Sequence, residues 1–92
     1  TNHARVNKSV EDILVNKSLA GRPDVEVDHL KINWRKKIPI VLVVVRAPDP
    51  ITPKEVALVE QILAQELETP FKVIFDVTPA TLVESNSPKK SQ

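Results

Sequence analysis

Cysteine is absent from these 92 residues, which excludes a disulfide framework and thiolate metal sites. Methionine is absent too, position 1 included. A complete, unprocessed translation product starts with Met, so the chain is expected to be an excised piece of a larger protein, or else a processed product. Glycine occurs once, at Gly21, so no Gly-rich phosphate loop can be built. There is no tyrosine, and Trp34, Phe71 and Phe75 are the only aromatic residues. The net charge of +1 sets up no strong field toward nucleic acid or anionic lipid. The longest apolar run, Ile38–Val45, is far short of the roughly 20 residues that span a bilayer. Thr1–Asn7 is polar and does not read as a signal peptide.

What remains is a chain of 41% apolar and 27% charged residues, the balance of a soluble globular domain. Its length allows one domain at most. Residues 1–83 are assigned to it, and the Ser/Lys-rich residues 84–92 to a disordered tail.

The first helix is expected over about Lys8–Leu19, with Asn7 or Ser9 as cap and Ser9–Asp12 as a weak capping box. Val6, Val10, Ile13 and Leu14 share its apolar face. Gly21 would supply a left-handed exit, and Pro23 blocks continuation. A strand follows over Val25–Trp34, in which Leu30, Ile32 and Trp34 alternate with polar residues. Val25 and Val27 have the opposite parity, which calls for a bulge or for a start beyond Val27. The basic turn Arg35–Lys37 leads into a largely aliphatic strand from about Ile38 to Arg46, with Pro39 near its start, paired antiparallel with the first.

The second helix has the strongest start signal. Thr52 is placed as N-cap, Pro53 as first helical residue, and Glu55 completes a Thr-x-x-Glu capping box, with Ile51 and Val56 as hydrophobic staple. Val56, Val59, Leu63 and Leu67 form its stripe, widened by Leu58 and Ile62, and Thr69-Pro70 ends it. A third strand covers Phe71–Thr78, with Leu82 and Val83 as a possible extension. The order is α-β-β-α-β. It predicts an α+β two-layer sandwich, with a three-stranded mixed sheet and two helices on one face. The last two strands run parallel through a right-handed crossover.

Both rows of the second strand are aliphatic, so one must face away from the helices. With a turn at Arg35–Lys37, Trp34 sits opposite Ile38, Ile32 opposite Ile40 and Leu30 opposite Leu42. Val41, Val43 and Val45 then point outward as an interaction face, with Ile74 and Val27 as candidate additions. A register slip of one residue would exchange the rows. The bland alternative is a central strand with a half-exposed valine row.

Reactive constellations are scarce. Asp24, Glu26, Asp28 and His29 could offer ligands to a cation, but on a regular strand His29 points to the opposite face, and a solvated strand edge is the better reading. His3 lies in a terminus expected to fray. Trp34 beside Arg35–Lys37 could touch a nucleic acid, yet it is in phase with Leu30 and Ile32 as core. The element order resembles that of some nucleic-acid-binding folds such as the KH domain, whose Gly-x-x-Gly clamp between two helices a single glycine cannot make. No nucleophile with a paired base is visible. No catalytic residue, cofactor site or metal site is assigned.

The segments Ile32–Lys37, Pro39–Val41, Val45–Pro53 through Val56–Val59, and Pro70–Phe75 resemble the soluble C-terminal domain of the Domain of Unknown Function 389 family. These are bacterial, often cyanobacterial, multi-spanning membrane proteins of unestablished activity. The likeness covers about Lys31–Val77. It implies a soluble appendage on the cytoplasmic side of a bacterial membrane protein, and it carries no residue role. The dimerising cytosolic α-β-β-α-β domains of cation-diffusion transporters are similar in architecture only.

The expected function is thus a non-enzymatic interaction or regulatory domain of a larger, membrane-embedded protein. Its expected partner is the rest of its own chain or a second copy, with no nucleic acid and no membrane insertion of this segment. The alternative is a small-ligand or nucleic-acid-binding module. A closed apolar cavity would favour the ligand, and a basic groove joining Arg35–Lys37 to Arg46 the nucleic acid.

Overall fold

The computed structural model describes residues 3–18, 21–81, 83 and 85. Helix α1 (His3–Ile13) passes into a π-helical turn, Leu14–Ser18. It is followed by β1 (Glu26–Asn33), β2 (Ile40–Ala47), α2 (Pro53–Leu67) and β3 (Lys72–Pro79). The sheet order is β1-β2-β3, with β1 antiparallel and β3 parallel to the central strand. This is the expected α+β class with a mixed three-stranded sheet.

One apolar cluster holds the layers together. Val10 and Leu14 come from the first helical segment, Val59 and Leu63 from α2, Val41, Val43 and Val45 from β2, Phe71 from just ahead of β3 and Val73 from its start. Both helices therefore pack on the same side of the sheet. Burial of each such side chain is worth about 1.5–3 kcal/mol before entropy is counted.

Helix α2 starts as the local chemistry dictates. Thr52 is extended, with φ −81° and ψ 157°. Its Oγ1 accepts from the Glu55 backbone N–H at 3.2 Å, and Glu55 Oε1 accepts from the Thr52 backbone N–H at 2.9 Å. Ile51 and Val56, the staple pair, are half-buried against the core. At the other end Glu68, not a glycine, takes the left-handed conformation (φ 54°, ψ 35°) ahead of Thr69-Pro70.

Several expectations are corrected. Helix α1 begins at His3, so Asn7 and Ser9 lie inside it and cap nothing. His3 stacks on Trp34, with ring centroids 4.1 Å apart and planes at 4°, while Trp34 meets Phe71 edge-on at 6.1 Å. Gly21 does not have a positive φ, so it is not a left-handed exit. Leu58 is 52% exposed and does not widen the α2 stripe. Val83 is exposed and outside β3, while Leu82 lies outside the described residues. The tail expected from 84 onward also lies, except for Ser85, outside the described residues.

The largest correction concerns register. The connection between β1 and β2 runs through six residues, Trp34–Pro39, where three were expected. Ile32 pairs with Val41 and Leu30 with Val43, not with Ile40 and Leu42. The row Val41, Val43 and Val45, expected to point outward, is completely buried under the helices. Val27, offered as a possible member of that outward face, also packs against the core. The bulge is present, between Val27 and His29. Asp28 is the extra residue, and it brings Val25 and Val27 onto the same side as Leu30 and Ile32.

Candidate interaction surface

Because side chains alternate along a strand, burying Val41, Val43 and Val45 turns Ile40, Leu42, Val44 and Arg46 to the other face. The cross-strand partners then define four rows on that open face. They are Asn33–Ile40–Lys72, Lys31–Leu42–Ile74, His29–Val44–Asp76 and Glu26–Arg46–Thr78. Ile40, Leu42 and Val44 are half-buried with no helix over them, and Ile74 is 42% exposed. Of the four residues assigned to the interaction face, only Ile74 lies on it. An aliphatic row is nonetheless left uncovered, and it is the alternate one.

The charges on this face are segregated. Lys72 and Lys31 lie toward the Ile40 end. Asp76, Glu26 and Asp28 lie toward the Arg46 end. Arg46 is engaged there: its guanidinium donates to both Asp28 oxygens, at 3.0 and 3.2 Å, and approaches Glu26 at 3.8 Å. The bond from Arg46 holds the Asp28 carboxyl below its ordinary range. Lys31, Lys72 and Asp76 make no ion pair among the described residues.

The acid cluster at the start of β1 is divided between two arginines. Asp24 accepts from Arg22 at 3.2 Å, while Asp28 and Glu26 serve Arg46. The bulge places His29 opposite Val44, on the same face as the Glu26–Arg46 pair, which corrects the expectation that it points to the other side. Among the described residues no three His, Asp or Glu side chains converge as metal ligands do.

Arg22 ties the two ends of the fold's connections together. It donates to both oxygens of Glu55 (3.2 and 3.1 Å), to the backbone carbonyls of Asp49 (3.0 Å) and Pro50 (3.3 Å), and to Asp24. The segment ahead of β1 is thereby fastened to the proline-rich β2–α2 turn. Glu55 is held below the ordinary carboxylate range, first by the Thr52 backbone N–H and next by Arg22. Nothing in the sequence flagged Arg22, because all its partners but Asp24 lie 27 to 33 residues away.

At the start of β3 one outward backbone donor is also engaged from α2: the Val73 N–H donates to Glu60 at 2.8 Å.

Two further surfaces bear on the alternative readings. A cleft of about 520 Å³ opens beyond the ends of β2 and β3, between Asp24, Glu26, Arg46, Pro48 and Pro79–Thr81. Its one cation, Arg46, is already paired with acids. The basic loop Arg35–Lys37 lies at the opposite end of β2 from Arg46, so the two do not line one groove.

Compared with known proteins, the chain matches no family model, no curated protein and no solved structure. Among the described residues no helix is long and apolar enough to cross a membrane.

Proposed function

We propose that this chain is a non-enzymatic interaction domain that docks through the open face of its sheet. The observation carrying this reading is that Ile40, Leu42, Val44 and Ile74 form one aliphatic strip on the side without helices. Covering such a strip gains the free energy of apolar burial, and soluble surfaces tend to keep strips like it small. The likeness to the Domain of Unknown Function 389 proteins supports a place as a regulatory appendage of a larger bacterial membrane protein, on its cytoplasmic side.

The absence of native cysteine makes the test clean. Ile74→Cys reports on the open face and Leu58→Cys, on the exposed side of α2, serves as control. In the longer protein or in concentrated solution, the Ile74→Cys thiol reacts slowly with a maleimide and the Leu58→Cys thiol reacts at the rate of a free thiol. Equal, fast reaction at both sites under both conditions contradicts the reading.

A further inference from the structure

The open face has a polarity that specifies its occupant. Resting on the reading of that face as a docking surface, we infer that the partner is a second copy of this chain, packed face to face about a two-fold axis. That axis runs across the strands through Ile74.

Lys72 and Asp76 lie on the same strand and the same face, two residues to either side of Ile74. At about 3.3 Å per residue they stand roughly 13 Å apart. A two-fold axis in the plane of the face and perpendicular to β3 reverses the strand direction between copies. Ile74 then meets the second copy's Ile74, and each copy's Lys72 stands over the other's Asp76. Both lysine–aspartate pairs form at once, as an isologous interface requires. An axis parallel to the strands would set lysine over lysine and aspartate over aspartate.

Neither Lys72 nor Asp76 has an ionic partner within its own chain among the described residues, so both are free to pair. The same operation carries Ile40 over Val44 and Leu42 over Leu42. The aliphatic strip therefore closes on itself between two charged pairs. Packed sheets in this arrangement lie about 10 Å apart with strands within roughly 30° of one another, a geometry that the strip's side chains can fill.

Lys31 shares the row of Leu42 and Ile74 but lies two strand spacings from Ile74, roughly 10 Å toward the rim. Two like charges there stay in water, where repulsion is screened. The face spans roughly 10 Å by 20 Å between strand axes, which is small for a stable dimer. It fits a weak contact with a dissociation constant on the order of 100 micromolar.

The test is sedimentation velocity, with translational diffusion by NMR, up to about 1 millimolar, circular dichroism confirming the fold of each variant. The wild-type chain shows reversible dimerisation. Lys72→Asp and Asp76→Lys, each alone, set like charges opposite each other twice per dimer and weaken association about tenfold or more. An equimolar mixture of the two variants regains dimer, because every symmetry-related pair is then acid against base. The double variant K72D/D76K also regains it. A wild-type chain that stays monomeric throughout overturns the inference, and so do single variants that associate like wild type. If self-association fails while the Ile74→Cys thiol is protected in the longer protein, the docking face stands and its occupant is another part of that protein. If neither is seen, both readings fall together.

Discussion

Glu55 accepts from Arg22 at 3.1 Å while its other oxygen completes the capping box with the Thr52 backbone N–H at 2.9 Å. One carboxylate thus serves the start of α2 and the anchor of the segment before β1. Local helix initiation and long-range docking share a residue, and the two can be separated by mutation.

Thr52→Ala removes the acceptor for the Glu55 N–H but leaves Arg22 its partner. It is expected to lower stability by about 0.5–2 kcal/mol, read from the urea midpoint at unchanged slope. An unaltered midpoint would mean that the hydroxyl contributes nothing.

Acid should act through the same cluster. Glu55 and Asp24 titrate below their ordinary values in the folded chain, Glu55 chiefly through the Thr52 N–H and Asp24 chiefly through Arg22. A depressed folded pKa means that the unfolded chain binds protons first as pH falls. The stabilisation is therefore complete above the unfolded carboxylate range. It declines through that range and is gone below the folded values. Melting temperature against pH should show this decline, and Arg22→Gln should make it shallower. A variant curve parallel to wild type would dissociate Arg22 from the acid response.

Trp34 is the chain's single tryptophan, so its fluorescence reports one place. His3→Ala removes the ring that covers it and should shift its emission to the red without unfolding the domain. An unchanged spectrum would show that the N-terminal turn of α1 does not rest on Trp34 in solution.

The parts of the fold that were legible are those specified locally. The α2 cap follows from Thr52, Pro53 and Glu55 within four positions, and the bulge follows from the phase change between Val27 and Leu30. The register of β2 was not legible from hydrophobicity, because Ile40, Leu42 and Val44 are as apolar as Val41, Val43 and Val45. A signal was present in the charges. Arg46 shares the row of Leu42 and Val44, and a row ending in arginine belongs in water, whereas the alternate row ends in Ala47, which is buried. The length of the Trp34–Pro39 connection hid it, since a shorter turn moves every pairing by one residue. In the early first turn of α1 His3 meets Trp34, 31 residues on, and Arg22 reaches Asp49, Pro50 and Glu55, 27 to 33 residues on. Neither leaves a trace in local sequence.

The docking face exists only if the Val41–Val43–Val45 row of β2 is core. Unfolding followed by circular dichroism on two variants, Val43→Lys and Leu42→Lys, tests this most directly. An ammonium forced into the fully buried Val43 site has no partner and should unfold the domain, whereas Leu42→Lys on the open face should leave it folded with a cooperative transition. A folded Val43→Lys beside an unfolded Leu42→Lys would reverse the register and remove the proposed docking face.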